Sequence, residues 1–250
     1  MTDIILCGCN GKLGSAIQAA IKEQEDCRIV AGVDISGENH SDFPVYTDPS
    51  EIQESADVLV DCSHPTALKP ILDYCYAHPG LAAVLCTTGY DQEQTSAVKK
   101  ASEVLPIFRS ANMSLGINLL MDLAKKAESV LGDAFDVEIV EMHHNQKLDA
   151  PSGTALMLAD AVSEVRDDQM KYTYDRHSQR KKREKHEIGL HSVRGGTIVG
   201  EHQIIFSGPH EVITLSHSAQ SKELFASGAV RAALFMKQQK PGLYNMSDLI

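Results

Sequence analysis

Short continuous apolar runs alternate with stretches of helical periodicity through the first half of the chain. Ile4-Ile5-Leu6, residues 29–33, Val58-Leu59-Val60, residues 82–86 and Leu105-Pro106-Ile107-Phe108 read as strands. Between them, residues 13–23, 68–77 and 91–103 carry apolar positions at helical spacing. Strand and helix alternating in this way predict a parallel sheet covered on both faces, a Rossmann-like, doubly wound α/β unit.

From about Ser114 the pattern changes. Residues 116–131 form a long helical pattern, 136–142 a strand and 153–165 a helix, followed by a charged stretch at 176–187. Strand-like segments at 196–199, 202–206 and 211–216 are separated by short turns, which points to antiparallel pairing. A last helical pattern covers 224–237. The expected organisation is a dinucleotide-type domain at 1–113, completed by about 221–250, and an α+β domain at 114–220 with a mixed or antiparallel sheet.

Composition narrows the function classes. With 43% hydrophobic and 23% charged residues, the 250-residue chain is of ordinary globular type. A net charge of -11 argues against a nucleic-acid partner, since polyanion binding needs an excess of Lys and Arg. Cations that hold an anionic ligand must therefore be concentrated locally. The one basic run, Arg180-Lys181-Lys182-Arg183, reads as a solvated loop balanced by Glu184 and Glu187. All six cysteines fall within the first 86 residues without a CxxC pair or a zinc-type His spacing, and read as buried, reduced thiols. The N-terminus enters a strand-like run directly, and no window approaches the ~18 apolar residues of a membrane span. The expectation is a cytoplasmic protein with no membrane and no metal.

Gly8-Cys9-Asn10-Gly11-Lys12-Leu13-Gly14 lies between the first strand and the first helix. Glycines there let backbone N–H groups approach a pyrophosphate at the positive end of the helix. Asn10 stands where the commoner GxGxxG fingerprint has its second glycine, and Asn is the side chain that next best tolerates positive φ. Asp34 closes the second strand twenty residues after Gly14, where a carboxylate can accept bonds from ribose hydroxyls. A tight strand–helix turn with Asp34 as a local cap is the plainer alternative. Cys86-Thr87-Thr88 and Ser110-Ala111-Asn112-Met113 follow later strands, where they serve either a nicotinamide or simple polar turns.

The segment Glu141-Met142-His143-His144-Asn145-Gln146-Lys147-Leu148-Asp149-Ala150-Pro151-Ser152-Gly153-Thr154 is the most informative. Two histidines and a lysine leave a strand, and Ser152-Gly153-Thr154 opens a helix whose free N–H groups can cradle a carboxylate. A metal site is disfavoured, because protonated Lys is a poor ligand and the spacing is not that of a zinc helix. Ser152 as N-cap is compatible with the cradle.

Taken in order, GCNGKLG, DCSHPTA, CTTGY, SANMSLGIN, EMHHNQKLDAPSGTAL, SVRGGTIVGEH and FASGAVRAALF resemble the dihydrodipicolinate reductase family from residue 4 to about 236, least clearly over 165–187. The resemblance implies NAD(P)H-dependent reduction of 4-hydroxy-tetrahydrodipicolinate, with loss of water, in the diaminopimelate route to lysine. It also implies a homotetramer assembled through the C-terminal sheet, the nucleotide on the N-terminal domain and the cyclic dicarboxylate between domains. By motif, Gly8, Cys9, Asn10, Gly11, Lys12, Leu13, Asp34, Cys86, Thr87, Thr88, Ser110, Ala111, Asn112 and Met113 would contact NADH or NADPH. His143 and Lys147 would be the acid–base residues, and His144, Ser152, Gly153 and Thr154 would bind substrate. Cys86 departs from the glycine often found before the paired threonines. An aspartate or homoserine dehydrogenase shares the N-terminal logic but not the HHxxKxDAPSGTA loop, and a non-catalytic nucleotide sensor would be expected to have lost His143 or Lys147.

Overall fold

The computed structural model describes residues 1–166 and 170–250 and divides into two compact units, Met1–Leu115 with Glu223–Ile250, and Gly116–Lys222. The expected helix at 153–165 ends at Ser163, short of the undescribed residues.

The first unit is built on β1 (Thr2–Cys7), β2 (Cys27–Val33), β3 (Val45–Tyr46), β4 (Val58–Asp61), β5 (Ala82–Leu85), β6 (Pro106–Arg109) and β12 (Gly242–Tyr244). They form one seven-stranded sheet in the order β12-β6-β5-β4-β1-β2-β3, every neighbouring pair parallel. Alternate residues feed opposite cores, as the two-residue period of a strand requires. Ile4, Leu6, Val58, Val60, Val84 and Phe108 pack against α1 (Lys12–Lys22) and α6 (Glu223–Met236). Ile5, Cys7, Leu59, Leu85 and Ile107 pack against α2 (Leu68–Ala77) and α3 (Gln92–Ala101). The chain order reverses between β1 and β4, which opens a crevice at their carboxyl ends. The six cysteines are free thiols, and all but Cys62 are buried.

The second unit has α4 (Leu115–Leu131), β7 (Asp136–His143), α5 (Gly153–Ser163), β8 (Lys171–Thr173), β9 (Glu187–Arg194), β10 (Gly200–Ser207) and β11 (Val212–Ala219). α4 itself begins one residue before the unit boundary. The sheet order is β11-β10-β7-β9-β8. β10 pairs antiparallel with β7 and β11, whereas β9 pairs parallel with β7 and β8, so the sheet is mixed. Val137, Ile139, Ile188, Leu190, Ile204 and Phe206 meet α4 and α5 residues such as Ile117, Leu120 and Leu158 in the core of this unit.

Two expectations are corrected. Residues 196–199 are not a strand: paired glycines, with Gly196 at φ +49, turn the chain, and Gly195 N–H donates to the His143 carbonyl at 2.9 Å. In the basic run, Arg180, Lys181 and Lys182 are exposed and Lys181 pairs with Glu184, but Arg183 turns inward and is not part of a solvated loop. Arg183 donates to Asp136 at 2.9 Å and to Glu138 at 3.1 Å, and Arg176 pairs with both Glu138 and the buried Glu187.

Within the first unit α6 is held close to the chain after β6, because a Cβ on Gly228 would stand 1.8 Å from the Met113 carbonyl oxygen. Gly228→Ala gains about 1 kcal/mol of helix propensity but must displace backbone, which costs typically 1–3 kcal/mol. The net expectation is a lower Tm in thermal unfolding, although alanine is the better helix former.

Candidate functional site

At the β1–β4 crevice the chain leaves β1 through Gly8, whose φ of +77 and would-be Cβ at 2.8 Å from the Cys62 carbonyl oxygen both require glycine. Gly14 lets α1 settle on this turn, since a Cβ there would meet the Gly8 carbonyl oxygen at 2.2 Å. Gly11 is the N-cap of α1 and offers no side chain to its first N–H groups, which suits an anion approaching the helix end. A cleft of about 830 Å³ is lined by Gly8, Asn10, Gly11, Asp34, Ile35 and Ser36, and on its other side by residues after β4 that include Ser63, His64 and Thr66. The space, the glycine turn and the uncapped helix end fit a dinucleotide.

Asn10 does not use positive φ, because among the described residues only glycines do. Its backbone N–H instead donates to Asp34 Oδ2 at 3.1 Å, and its Nδ2 donates to Ser36 Oγ at 3.0 Å and the Glu38 carbonyl at 2.9 Å. Asp34 Oδ1 accepts from the Ser36 N–H at 3.1 Å and hydroxyl at 3.0 Å. One carboxylate thus ties the glycine turn to the loop after β2 and keeps acceptor capacity on Oδ2.

The other expected nucleotide residues are distributed differently. Cys9 is buried in the core beneath the turn, Leu13 packs against the same core, and Lys12 is exposed outside the cleft lining. Cys86 and Thr87 are buried after β5, while Thr88 is exposed. Ser110, Asn112 and Met113 are buried and Ala111 is exposed. Asn112 Oδ1 accepts from the Ser114 N–H at 2.9 Å, and Ser110 Oγ donates to the Asn112 carbonyl at 2.8 Å. Neither of these two segments lines the cleft.

Asp61, at the end of β4, is fully buried. Burial raises its pKa, against hydrogen bonds from Ser63 and Tyr90. The Ser63 N–H donates to it at 3.0 Å and the Tyr90 hydroxyl at 3.3 Å, while Arg109 lies over the Tyr90 ring at 5.1 Å. Asp61 opens DCSHPTA, but nothing in that string marks its carboxyl as buried.

In the second unit β7 carries Glu141 and His143 two residues apart, hence on one face. Glu141 Oε2 lies 2.6 Å from His143 Nδ1, and Arg194 on the neighbouring β9 donates to both carboxylate oxygens at 2.8 and 2.7 Å. The Ser152 N–H donates to Glu141 Oε1 at 3.1 Å, and Ser152 Oγ caps α5 by accepting from the Ala155 N–H at 3.1 Å. Burial pushes the Glu141 pKa upward, but the bonds from Arg194 and His143 outweigh it and hold the value at about 2. His202 on β10 lies 3.0 Å from Ser152 Oγ and edge-on to His143, the ring centroids 5.2 Å apart. Burial, with His143 adding to it, lowers the His202 pKa to about 4.

His144 Nδ1 accepts from the Gln146 N–H at 3.2 Å, and Lys147 Nζ donates to Asp149 at 2.8 Å. Gly153 presents open space. Sequence reasoning missed Glu141, Arg194 and His202. The first was signalled by its two-residue spacing from His143, whereas the other two reach the loop only through pairing of β9 and β10 with β7. Among the described residues no group of three or more His, Cys, Asp or Glu could hold a metal ion, and no helix is long and apolar enough to cross a membrane.

Residues 2–113 match the family described as dihydrodipicolinate reductase, N-terminus, and residues 116–250 match its C-terminus. The chain belongs to this family. A 4-hydroxy-tetrahydrodipicolinate reductase of Caldanaerobacter subterraneus subsp. tengcongensis is 51% identical over 100% of the chain and 98% of the relative. One from Clostridium tetani is 46% identical over 100% and 97%. The solved dipicolinate-bound dihydrodipicolinate reductase from Paenisporosarcina sp. TG-14 superposes with a TM-score of 0.84 at 27% identity, covering 100% of both chains. Full-length similarity of this degree identifies a nicotinamide-dependent oxidoreductase and removes the aspartate and homoserine dehydrogenase alternatives.

The His202 imidazole sets a pH signature. Its folded pKa lies below the ordinary 6.5, so the unfolded state binds more protons between those values and stability falls as pH drops through that window. Glu141 contributes nothing to the change above its ordinary 4.5, because both its folded and unfolded values lie at or below that point. Urea unfolding should show wild type losing about 2 kcal/mol more than His202→Gln between pH 7 and pH 5.

Proposed function

We propose that the chain reduces 4-hydroxy-tetrahydrodipicolinate to tetrahydrodipicolinate, releasing water, in the diaminopimelate route to lysine, with the 141–154 loop of the second unit as the substrate site. The observation that carries this reading is one continuous segment holding an oriented imidazole, an ammonium group and an open helix start. Bound nicotinamide supplies a hydride to the ring. The chain must supply the proton that lets the ring hydroxyl leave as water. His143, with Nδ1 on Glu141, offers Nε2 for that proton. Lys147 supplies positive charge, and its present partner Asp149 is half-exposed, so a substrate carboxylate can exchange with it. Gly153 and Thr154 receive a substrate carboxylate at the start of α5, which Ser152 holds in place through its bonds to Glu141 and His202, with His144 beside them in the loop.

For the nucleotide, Gly8, Asn10 and Gly11 cradle the pyrophosphate and Asp34 accepts from the adenosine ribose. Cys9, Lys12 and Leu13 act as part of the same turn, Cys9 and Leu13 through backbone alone. The residues 86–88 and 110–113 serve the nicotinamide end. NADH is used at least as well as NADPH, because the cleft is lined by Asp34, Glu38 and Asp48 and by neither Lys nor Arg, and Ile35 is 98% exposed where a cation could have met a 2′-phosphate. A catalytic efficiency with NADPH more than about tenfold above that with NADH, roughly 1.4 kcal/mol, would contradict this.

The chain acts as a homotetramer in the cytoplasm. The edge strand β11 and the half-exposed face bearing Val140, Met142 and Ile205 support assembly through the second sheet, because open edges are closed by pairing between subunits. Sedimentation at micromolar concentration should give a species four times the chain mass, and a monomer alone would refute the assembly.

Lys147→Ala and His143→Ala should lower kcat by ~10²–10⁴-fold with little change in NADH affinity. Thr154→Ala should raise KM more than it lowers kcat. Steady-state kinetics with freshly generated cyclic substrate and NADH fluorescence titration check both. Near-normal kcat with lost NADH affinity in the first two variants would overturn the placement of substrate at this loop.

A further inference from the structure

We propose that Glu141 is the positioning residue of the substrate site, one buried carboxylate that fixes the proton-bearing nitrogen of His143 and anchors the start of the anion cradle together. This rests on the reading of the 141–154 loop as the proton-donating substrate site.

Four contacts fill the carboxylate. His143 Nδ1 and Arg194 Nη1 meet Oε2 at 2.6 and 2.8 Å, and Arg194 Nη2 and the Ser152 N–H meet Oε1 at 2.7 and 3.1 Å. A carboxylate has about four acceptor sites, so none is left over. Two of the four would suffice for a bidentate ion pair with Arg194 that only braces β7 against β9. The other two reach the imidazole and the first residue of the helix start, which are the two chemical parts of the loop.

The consequence for His143 follows from tautomerism. An ionised carboxylate can only accept, so Nδ1 must carry its proton, and Nε2 becomes the position at which a proton is given or taken. Among the described residues nothing hydrogen-bonds Nε2. Position 200 is glycine, and a Cβ there would press on Nε2 at 3.1 Å, so the chain also keeps that nitrogen clear. The strong downward pull of Arg194 keeps Glu141 ionised far below neutrality. Arg194 Nη2 donates in addition to the Asp149 carbonyl at 2.7 Å, which joins the segment carrying Lys147 to the same centre. His202 holds Ser152 from the hydroxyl side, so the helix start is fixed at both its N–H and its Oγ.

The test is a double-mutant cycle of Glu141→Gln and His143→Ala on the full-length protein, with kcat, KM for the cyclic substrate and NADH affinity for each variant. It is joined by ¹⁵N-histidine NMR, with the His143 signals assigned by their loss in His143→Ala. Gln keeps the shape but loses the charge and places an amide donor against Arg194. Glu141→Gln alone should lower kcat by about 10–10²-fold and raise KM, leave NADH affinity unchanged and abolish the single Nδ1–H tautomer. In the His143→Ala background it should cost little further kcat, because the group through which it acts is gone.

A full multiplicative loss in the double variant, or an unchanged tautomer with kcat within about twofold of wild type, would overturn the proposal. Should Glu141→Gln fail to fold, Glu141→Asp, which keeps the charge but withdraws it, enters the same cycle with the same expectations. A slow His143→Ala beside a fast Glu141 variant defeats this inference alone. An unimpaired His143→Ala defeats the reading of the loop itself, and this inference with it.

Discussion

A carboxylate that is 1% exposed cannot stay ionised without donors, and that requirement shapes the second unit around Glu141. Its donors come from β7 itself, from β9 and from the start of α5. They can reach it only if β9 runs parallel to β7 in the observed register, which sets Arg194 opposite His143. The mixed sheet is therefore a chemical requirement as well as a packing one. An antiparallel partner strand could bury the same apolar face, but this pairing is what brings the guanidinium to the loop.

The first unit solves a related problem in the opposite way. Asp61 is as deeply buried at the end of β4, yet its hydrogen-bond donors are neutral, and Arg109 spends its charge on the Tyr90 ring. With no paired cation among the described residues, burial pushes this carboxyl upward, whereas Glu141 is driven down. Each unit places a buried carboxyl beneath a loop at a strand end. The charge of one is fixed by its partner, and the protonation of the other is left to its surroundings.

The sheet of the first unit was legible because its strands are apolar on both faces and its helices keep their own period. Ile4 and Ile5 serve different cores, and so do Val58 and Leu59. The glycine turn was legible for the same local reasons, although the part played by Asn10 was not, since its partners Ser36 and Glu38 lie far along the chain. The short strands β3, β8 and β12 left no pattern of their own. β9 was hidden because its first residue, Glu187, belongs to a charged run and is buried with Arg176 as its ion-pair partner. In the site, residues adjacent in sequence were found, while Arg194 and His202 depend on strand pairing that no local pattern encodes.

The last 28 residues, Glu223–Ile250, belong to the unit formed by the first 115. α6 covers one face of that sheet with Ala226, Ala229, Val230, Ala233 and Met236, and β12 extends it beyond β6. As the chain leaves the ribosome, the first-made unit has every strand except one, but an apolar face covered only in part, by α1. It cannot close until the second unit, which is complete in sequence before α6 begins, has also emerged. Synthesis therefore delivers the inner unit as a finished insert while the outer one still waits on its own tail, and a chain cut short near its end loses the unit that was translated first.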